Sequence, residues 1–307
     1  MKWPNKFVMF SAAIGITFGL CVLCFAAPQT PRPKLKVFIS VDMEGISGIV
    51  HSEQTTSGTA EYAAGRKWMA RDVNAAVAGA LEAGATEVVV NDSHGSMRNI
   101  DPDDLDPRAS LISGSPKPLS MMQGIDASFQ ACIFIGYHAK AGTEDAILDH
   151  TISSSVVRAI RVNGVELPEL GLNAAIAGYY GVPVVLVSGD TAVCRQTGEI
   201  LGKDVVTVAV KEAYGRLAAK LVPMGEAMRM IKAGVTEALG KVGRAKPFKI
   251  APPCRFELEY FVSAQADMGA MIPGTKRVGA RTLGFTADDY LEGFRTLRAL
   301  IALAPAR

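Results

Sequence analysis

Apolar and polar positions follow two rhythms along this chain. Lys36 to Val41 (KVFISV) is a largely apolar run of strand length that stops abruptly at Asp42. The same grammar recurs three times. Glu87 to Val90 runs into Asn91, Asp92, Ser93 and His94; Ala131 to Ile135 runs into Gly136, Tyr137 and His138; Val184 to Val187 runs into Ser188, Gly189 and Asp190. Runs that are apolar on both faces suit strands buried in a parallel sheet.

Between these runs the period lengthens. Glu61 to Ala83 is rich in Ala and Arg with apolar residues at helical spacing, and Gly84 supplies a stop. Leu170 to Tyr180 predicts a shorter helix, ended by Gly181 and Pro183. Met224 to Leu239 and Asp288 to Ala302 predict amphipathic helices. Phe256 to Val262 (FELEYFV) alternates with acids, which places it at a sheet edge or in a smaller C-terminal subdomain. Strands alternating with helices imply an α/β fold: a mostly parallel central sheet flanked by helices, with a smaller C-terminal α+β subdomain.

The N-terminus has a different pattern. Lys2 and Lys6 precede an uncharged apolar stretch from Phe7 to Ala27 that ends in the small residues Ala26 and Ala27. This is the shape of a signal peptide over residues 1–27, although the stretch is also long enough to serve as an uncleaved membrane anchor. The expected location is therefore exported, periplasmic or extracellular, with N-terminal membrane anchoring as the alternative. Residues 28–34 (PQTPRPK) read as a Pro-rich linker, and residues 35–307 as the functional domain.

Composition narrows the function. The 307 residues carry 32 Lys and Arg against 30 Asp and Glu, and both charges lost with residues 1–27 are lysines, so the remainder is neutral. That balance excludes the basic footprint of a nucleic-acid partner. Outside the N-terminal stretch only Cys132, Cys194 and Cys254 remain, too few and too dispersed for a disulfide framework or a cysteine metal knot. Cys132, within an apolar run, reads as a small core residue.

The chemistry gathers where the strand-like runs end. His94 and His138 follow two of the runs, and Asp42, Glu44, Asp92 and Asp190 stand at similar places. Ligands of parallel α/β sheets collect outside the carboxyl ends of the strands, so these side chains can converge. If the extended backbone persists through Glu44, Asp42 and Glu44 point to one face, and one carboxylate can bridge two cations. Gly45 and Gly48 let the chain turn close beneath. Imidazoles with carboxylates form a mixed N/O set that suits Zn²⁺, with Mn²⁺ or Fe²⁺ as chemically acceptable alternatives. Taken singly, Asp92 and Asp190 read as caps or turn residues, and His51 as a loop residue. No GxSxG, GxxxxGK[ST] or HExxH motif is present. The turn-rich stretch Ser113 to Ser120 reads as a loop bordering the site.

Five ordered blocks carry a family resemblance: VDMEGISG (Val41 to Gly48), NDSHG (Asn91 to Gly95), LISGSPKPLSMMQG (Leu111 to Gly124), FIGYHA (Phe134 to Ala139) and ELGLNAAIAGYYGVPVVLVSGD (Glu169 to Asp190). Together they resemble the DppA-type D-aminopeptidases, binuclear zinc metallopeptidases that form ring-shaped homo-oligomers. The resemblance implies two zinc ions per chain, with Asp42 bridging and Glu44, His94, His138 and Glu169 as the other ligands. It further implies His150, in LDHT, as the catalytic residue. The expected activity is hydrolysis of short peptides with N-terminal D-amino acids, such as D-Ala peptides, through a metal-bridged water. A metallohydrolase of the same fold acting on another amide or ester, and a non-catalytic exported peptide-binding protein, are the alternatives. The expected partners are short peptides and further copies of the chain, with a membrane only if the N-terminal segment stays uncleaved.

Overall fold

The computed structural model describes residues 1–6, 8, 9 and 34–304. Most of the signal or anchor expected over residues 1–27, namely residues 7 and 10–27, and residues 28–33 of the linker lie outside the described residues. Residues 1–6, 8 and 9 are exposed and have no regular structure. The chain from Lys34 onward is one compact unit.

In chain order its elements are β1 (Lys36–Val41), α1 (Tyr62–Glu82), β2 (Glu87–Asp92), β3 (Ala109–Ile112), β4 (Ala131–Tyr137), β5 (Val157–Val162), β6 (Val165–Glu166) and α2 (Glu169–Tyr179). There follow β7 (Val184–Asp190), α3 (Thr191–Leu201), β8 (Val206–Ala213), β9 (Ala219–Leu221) and α4 (Met224–Gly240). The last are β10 (Cys254–Tyr260), α5 (Ser263–Gly269), β11 (Lys276–Gly279), β12 (Thr282–Ala287) and α6 (Tyr290–Leu303).

The large sheet has the order β3-β2-β1-β4-β7-β8-β9. All its strands are parallel except β9, which runs antiparallel to β8. The apolar runs are covered on both faces, as the pattern requires. Val37, Ile39 and Val41 of β1 pack with Met69, Val73 and Val77 of α1 and Ile231 and Val235 of α4. Phe38 faces the opposite side and joins Phe134, Leu170 of α2 and Phe294 of α6. Each such side chain withdrawn from water contributes about 1.5–3 kcal/mol, which opposes the entropy of ordering the strands.

The second sheet is antiparallel, with the order β11-β12-β10-β5-β6. In β10, Phe256, Leu258 and Tyr260 are buried while Arg255 and Glu257 are exposed, so the alternation with acids marks a strand with one wet face. It sits inside this smaller sheet between β12 and β5, not at an edge. The sheet is not purely C-terminal, because the hairpin β5–β6 comes from mid-chain and leads directly into α2. Topology places the site: sequence order reverses between β1 and β4, and a crevice opens beyond the carboxyl ends of strands at such a reversal.

Candidate metal centre

Asp42 is the first residue beyond β1, and His138 the first beyond β4. Asp42 donates its backbone N–H to Ile135 O at 2.8 Å, after which the chain leaves the strand direction. The extended backbone expected through Glu44 therefore ends at Asp42. A turn brings Glu44 round instead, closed by Ile46 N donating to Met43 O at 3.0 Å. The two carboxylates converge by turning, not by strand alternation. Gly45 makes this possible, since its N–H donates to Gly136 O at 2.8 Å and a Cβ there would stand 2.0 Å from Tyr137 O.

The loop is also held from behind. Lys211 of β8 is fully buried and donates from Nζ to Glu44 O at 2.6 Å, Ile46 O at 2.9 Å and Ile49 O at 2.6 Å. Burial pushes its ammonium down to about 8, against the pull of Asp190, Asp72 and Glu44. Asp72 of α1 accepts from Ser47 N at 2.8 Å and Ser47 Oγ at 2.5 Å. One cation and one anion thus clamp the ligand-bearing turn by its backbone.

His94 follows β2 in a turn braced by Asp92, which accepts from Asn99 N at 2.6 Å and Ile100 N at 2.8 Å. Asp190 caps α3 through Val193 N at 2.8 Å and also accepts from Ile147 N at 2.8 Å, steadying the segment that carries His150. The capping and turn roles expected of Asp92 and Asp190 are what the structure shows. His51 is a loop residue whose Nδ1 accepts from Glu53 N at 3.2 Å. Cys132 is buried in the core, which pushes its thiol well above the ordinary value.

The three site histidines share one arrangement. Each donates one ring N–H to a backbone carbonyl: His94 Nε2 to Thr55 O at 2.9 Å, His138 Nδ1 to Ala139 O at 3.0 Å, and His150 Nδ1 to Leu148 O at 2.9 Å. That leaves the other nitrogen of each ring turned toward carboxylates. His94 Nδ1 lies 3.2 Å from Asp42 Oδ1 and 3.1 Å from Glu44 Oε2. His138 Nε2 lies 3.4 Å from Asp42 Oδ2 and 3.3 Å from Glu169 Oε1. His150 Nε2 lies 3.7 Å from Glu169 Oε1. Asp42 therefore offers one oxygen to each of two clusters.

Lone pairs facing lone pairs need a cation between them. His138 Nε2 shows the need most plainly, as it is buried and makes no hydrogen bond. Burial disfavours every charge here, yet the neighbours override it. His94 holds the Glu44 carboxyl well below its usual range, and His138 brings Glu169 down to about 2. The facing carboxylates raise His94 and His138 well above the ordinary imidazole value despite burial. Asp42 is pushed up by burial and by the charge of Glu44. Protons on the rings are one way to compensate three buried carboxylates; divalent metals are the other. Ligand atoms of Asp42, Glu44 and His138, and those of His138, His150 and Glu169, lie within 4.8 Å of one another. A second nitrogen fixed on a carbonyl is how metal-binding histidines are commonly oriented, and the N/O donor set fits zinc.

Asp42, Glu44, His94, His150 and Glu169 border a cavity of about 550 Å³, with His138 buried behind them. The match of the M55 peptidase model, described as D-aminopeptidase, runs over residues 35–299. The chain belongs to the M55 D-aminopeptidase family. It is 38% identical over 273 residues to the D-aminopeptidase of Bacillus subtilis (strain 168), covering 88% of this chain and 98% of that protein. The solved structure of the Zn-dependent D-aminopeptidase DppA from Bacillus subtilis, a self-compartmentalizing protease, superposes with a TM-score of 0.85 at 37% identity, covering 88% of this chain and 97% of that one. The M55 fold is the mixed α/β architecture expected from the apolar runs.

Glu169 is the residue that periodicity alone does not single out. As the first residue of α2 it resembles a favourable charge at a helix N-terminus. What sets it apart is that the helix it opens, Glu169–Gly178, is buried throughout, whereas a charge that only favours a helix N-terminus is ordinarily solvated. Lys211 is likewise a charge buried within an element, here the strand β8. The loop Ser113 to Ser120 approaches Glu169 from another side, as Ser120 lines a small void shared with Glu169, Asn173 and Arg298.

Proposed function

We propose that this M55 chain is a zinc-dependent aminopeptidase that releases N-terminal D-residues from short peptides. It would use Asp42, Glu44, His94, His138 and Glu169 to hold two metal ions and His150 to move protons. The observation that carries the reading is Asp42, whose two carboxylate oxygens face two separate histidine–carboxylate clusters. Zinc ions held there would polarise the scissile carbonyl and bring a water molecule toward ionisation near neutral pH.

The chain's own groups do the rest. Thr55 O, Ala139 O and Leu148 O each fix one imidazole N–H, so His94 presents Nδ1, and His138 and His150 present Nε2, to the centre. His150 exchanges its proton at Nε2, the only ring nitrogen not committed to a carbonyl, beside Glu169 Oε1. The carboxylates beside it suit a substrate ammonium, which explains removal of the first residue in place of internal cleavage.

The proposal extends to assembly and location. The self-compartmentalizing relative supports a ring-shaped homo-oligomer, and Lys2 and Lys6 before the apolar stretch support export. The test is metal analysis of the purified protein with hydrolysis of D-Ala-D-Ala and L-Ala-L-Ala. About two zinc ions per chain and D-selective release are expected, and preference for the L-peptide would defeat the reading. Light scattering and the N-terminal sequence of protein recovered from cell fractions check assembly and export.

A further inference from the structure

The cavity is chemically polarised. Asp42, Glu44 and Glu169 line it with the imidazoles, whereas Arg216 is the one lysine or arginine among its lining residues. Arg216 lies in the turn between β8 and β9, where Tyr214 N donates to Ala218 O at 2.8 Å. Its side chain is held on one edge only. Nε lies 3.0 Å from Asp149 Oδ1, and Nη2 donates to Asp149 O at 3.4 Å. Nη1 has no hydrogen-bond partner among the described residues, and 48% of the side chain is exposed. Asp149 is itself fixed by Gly142 N, which donates to its Oδ2 at 2.7 Å, so the fork is oriented in advance.

We propose that Arg216 is a specificity-determining residue that binds the C-terminal carboxylate of the substrate, so that a free carboxyl group is part of what the site recognises. This rests on the aminopeptidase reading. A short peptide is a zwitterion whose ammonium fits the acidic side of the cavity and whose carboxylate fits the guanidinium. Both ends of such a peptide meet groups of one cavity: Arg216 lines it together with His150, Asp42, Glu44 and Glu169, and the residue that holds Arg216, Asp149, immediately precedes His150. A guanidinium already held by Asp149 loses little further freedom when a carboxylate joins it.

The test compares D-Ala-D-Ala with its C-terminal amide, in the unmodified enzyme and in Arg216→Gln. The unmodified enzyme is expected to favour the acid through KM. In Arg216→Gln the ratio of kcat/KM for acid to that for amide should fall about tenfold to a hundredfold, as for a lost hydrogen bond to a charged group, with Arg216→Lys retaining part of the preference. Equal losses on both peptides would overturn the assignment and leave Arg216 as a brace for the His150 segment. Calorimetric titration of both peptides into His150→Ala protein separates the two readings. Failure of the unmodified enzyme to cleave either peptide defeats the peptidase reading, whereas equal affinity for acid and amide defeats the role of Arg216.

Discussion

The imidazole of His150 lies parallel to that of His138, with ring centroids 4.0 Å apart and planes 12° apart. Both turn Nε2 toward Glu169 Oε1, at 3.3 Å from His138 and 3.7 Å from His150. They differ in access: the His138 side chain is 2% exposed and that of His150 16%. The buried ring suits a ligand and the more open one a proton carrier. His150→Ala should therefore keep its metal while kcat falls by about 10²–10⁴, and His138→Ala should lose metal as well as activity. Elemental analysis beside steady-state kinetics checks both, and substantial metal loss in His150→Ala would make that ring a ligand.

Asp42 stands between two clusters and Glu169 in one, so their substitutions should differ in stoichiometry. Asp42→Ala removes the only carboxylate shared by both clusters and is expected to leave less than one zinc per chain. Glu169→Ala should leave the cluster of His94, Glu44 and Asp42 able to hold one ion. Metal content after dialysis against a weak chelator reads the difference. Equal loss in the two variants would show that the clusters fill only together.

What could be read in advance follows burial. The strands β1, β2, β4 and β7 are covered on both faces, so their apolar runs are continuous and their starts are legible in the chain. β8 (VTVAVKEA) is broken by polar residues and a lysine, and β3 is only half-buried, so neither shows such a run. The hairpin β5–β6 shows no apolar run, because two arginines interrupt β5 (VRAIRV) and β6 is only two residues long. Its signal is instead Asn163-Gly164, both at positive φ (52° and 82°), the pair that a two-residue hairpin turn favours. In the site, the residues after strands could be found because sheet topology dictates where strand ends meet. Glu169 and Lys211 act through tertiary partners far along the chain, and local pattern carries no record of those partners. Family resemblance supplied Glu169 and His150; nothing in the sequence supplied the three carbonyls on Lys211.

Those carbonyls make Lys211 a positioning residue for the metal turn. Lys211→Met keeps the length of the side chain but leaves the buried Glu44 O and Ile49 O without their donor, while Ile46 O keeps the N–H of Ile49 at 3.2 Å. Each such group costs about 1–3 kcal/mol, although relief from burying an ammonium offsets part of the total. A net destabilisation of roughly 3 kcal/mol is expected by urea unfolding. Zinc affinity, read by chelator competition, should fall about 10–100-fold, the usual consequence of losing support behind metal ligands. Normal zinc affinity in a destabilised variant would limit Lys211 to a role in folding.

Asp72 gives this clamp a pH dependence of definite sign. Burial raises its carboxyl from 3.8 to about 6, against the hydrogen bonds from Ser47 and the charge of Lys211. The folded chain then holds a proton that the unfolded chain has released, throughout the window from about pH 4 to about pH 6. Stability attributable to this group is greatest below that window and is lost as the pH rises through it. A shift of about two units corresponds to roughly 3 kcal/mol. Asp72→Asn cannot ionise, so its stability relative to the unmodified protein should climb by about that amount between pH 4 and pH 6.5. Denaturant unfolding of both proteins across the range measures the difference directly. A difference that does not change with pH would mean that Asp72 ionises in the fold as readily as in the unfolded chain, and that burial beside Ser47 imposes no net penalty on its charge.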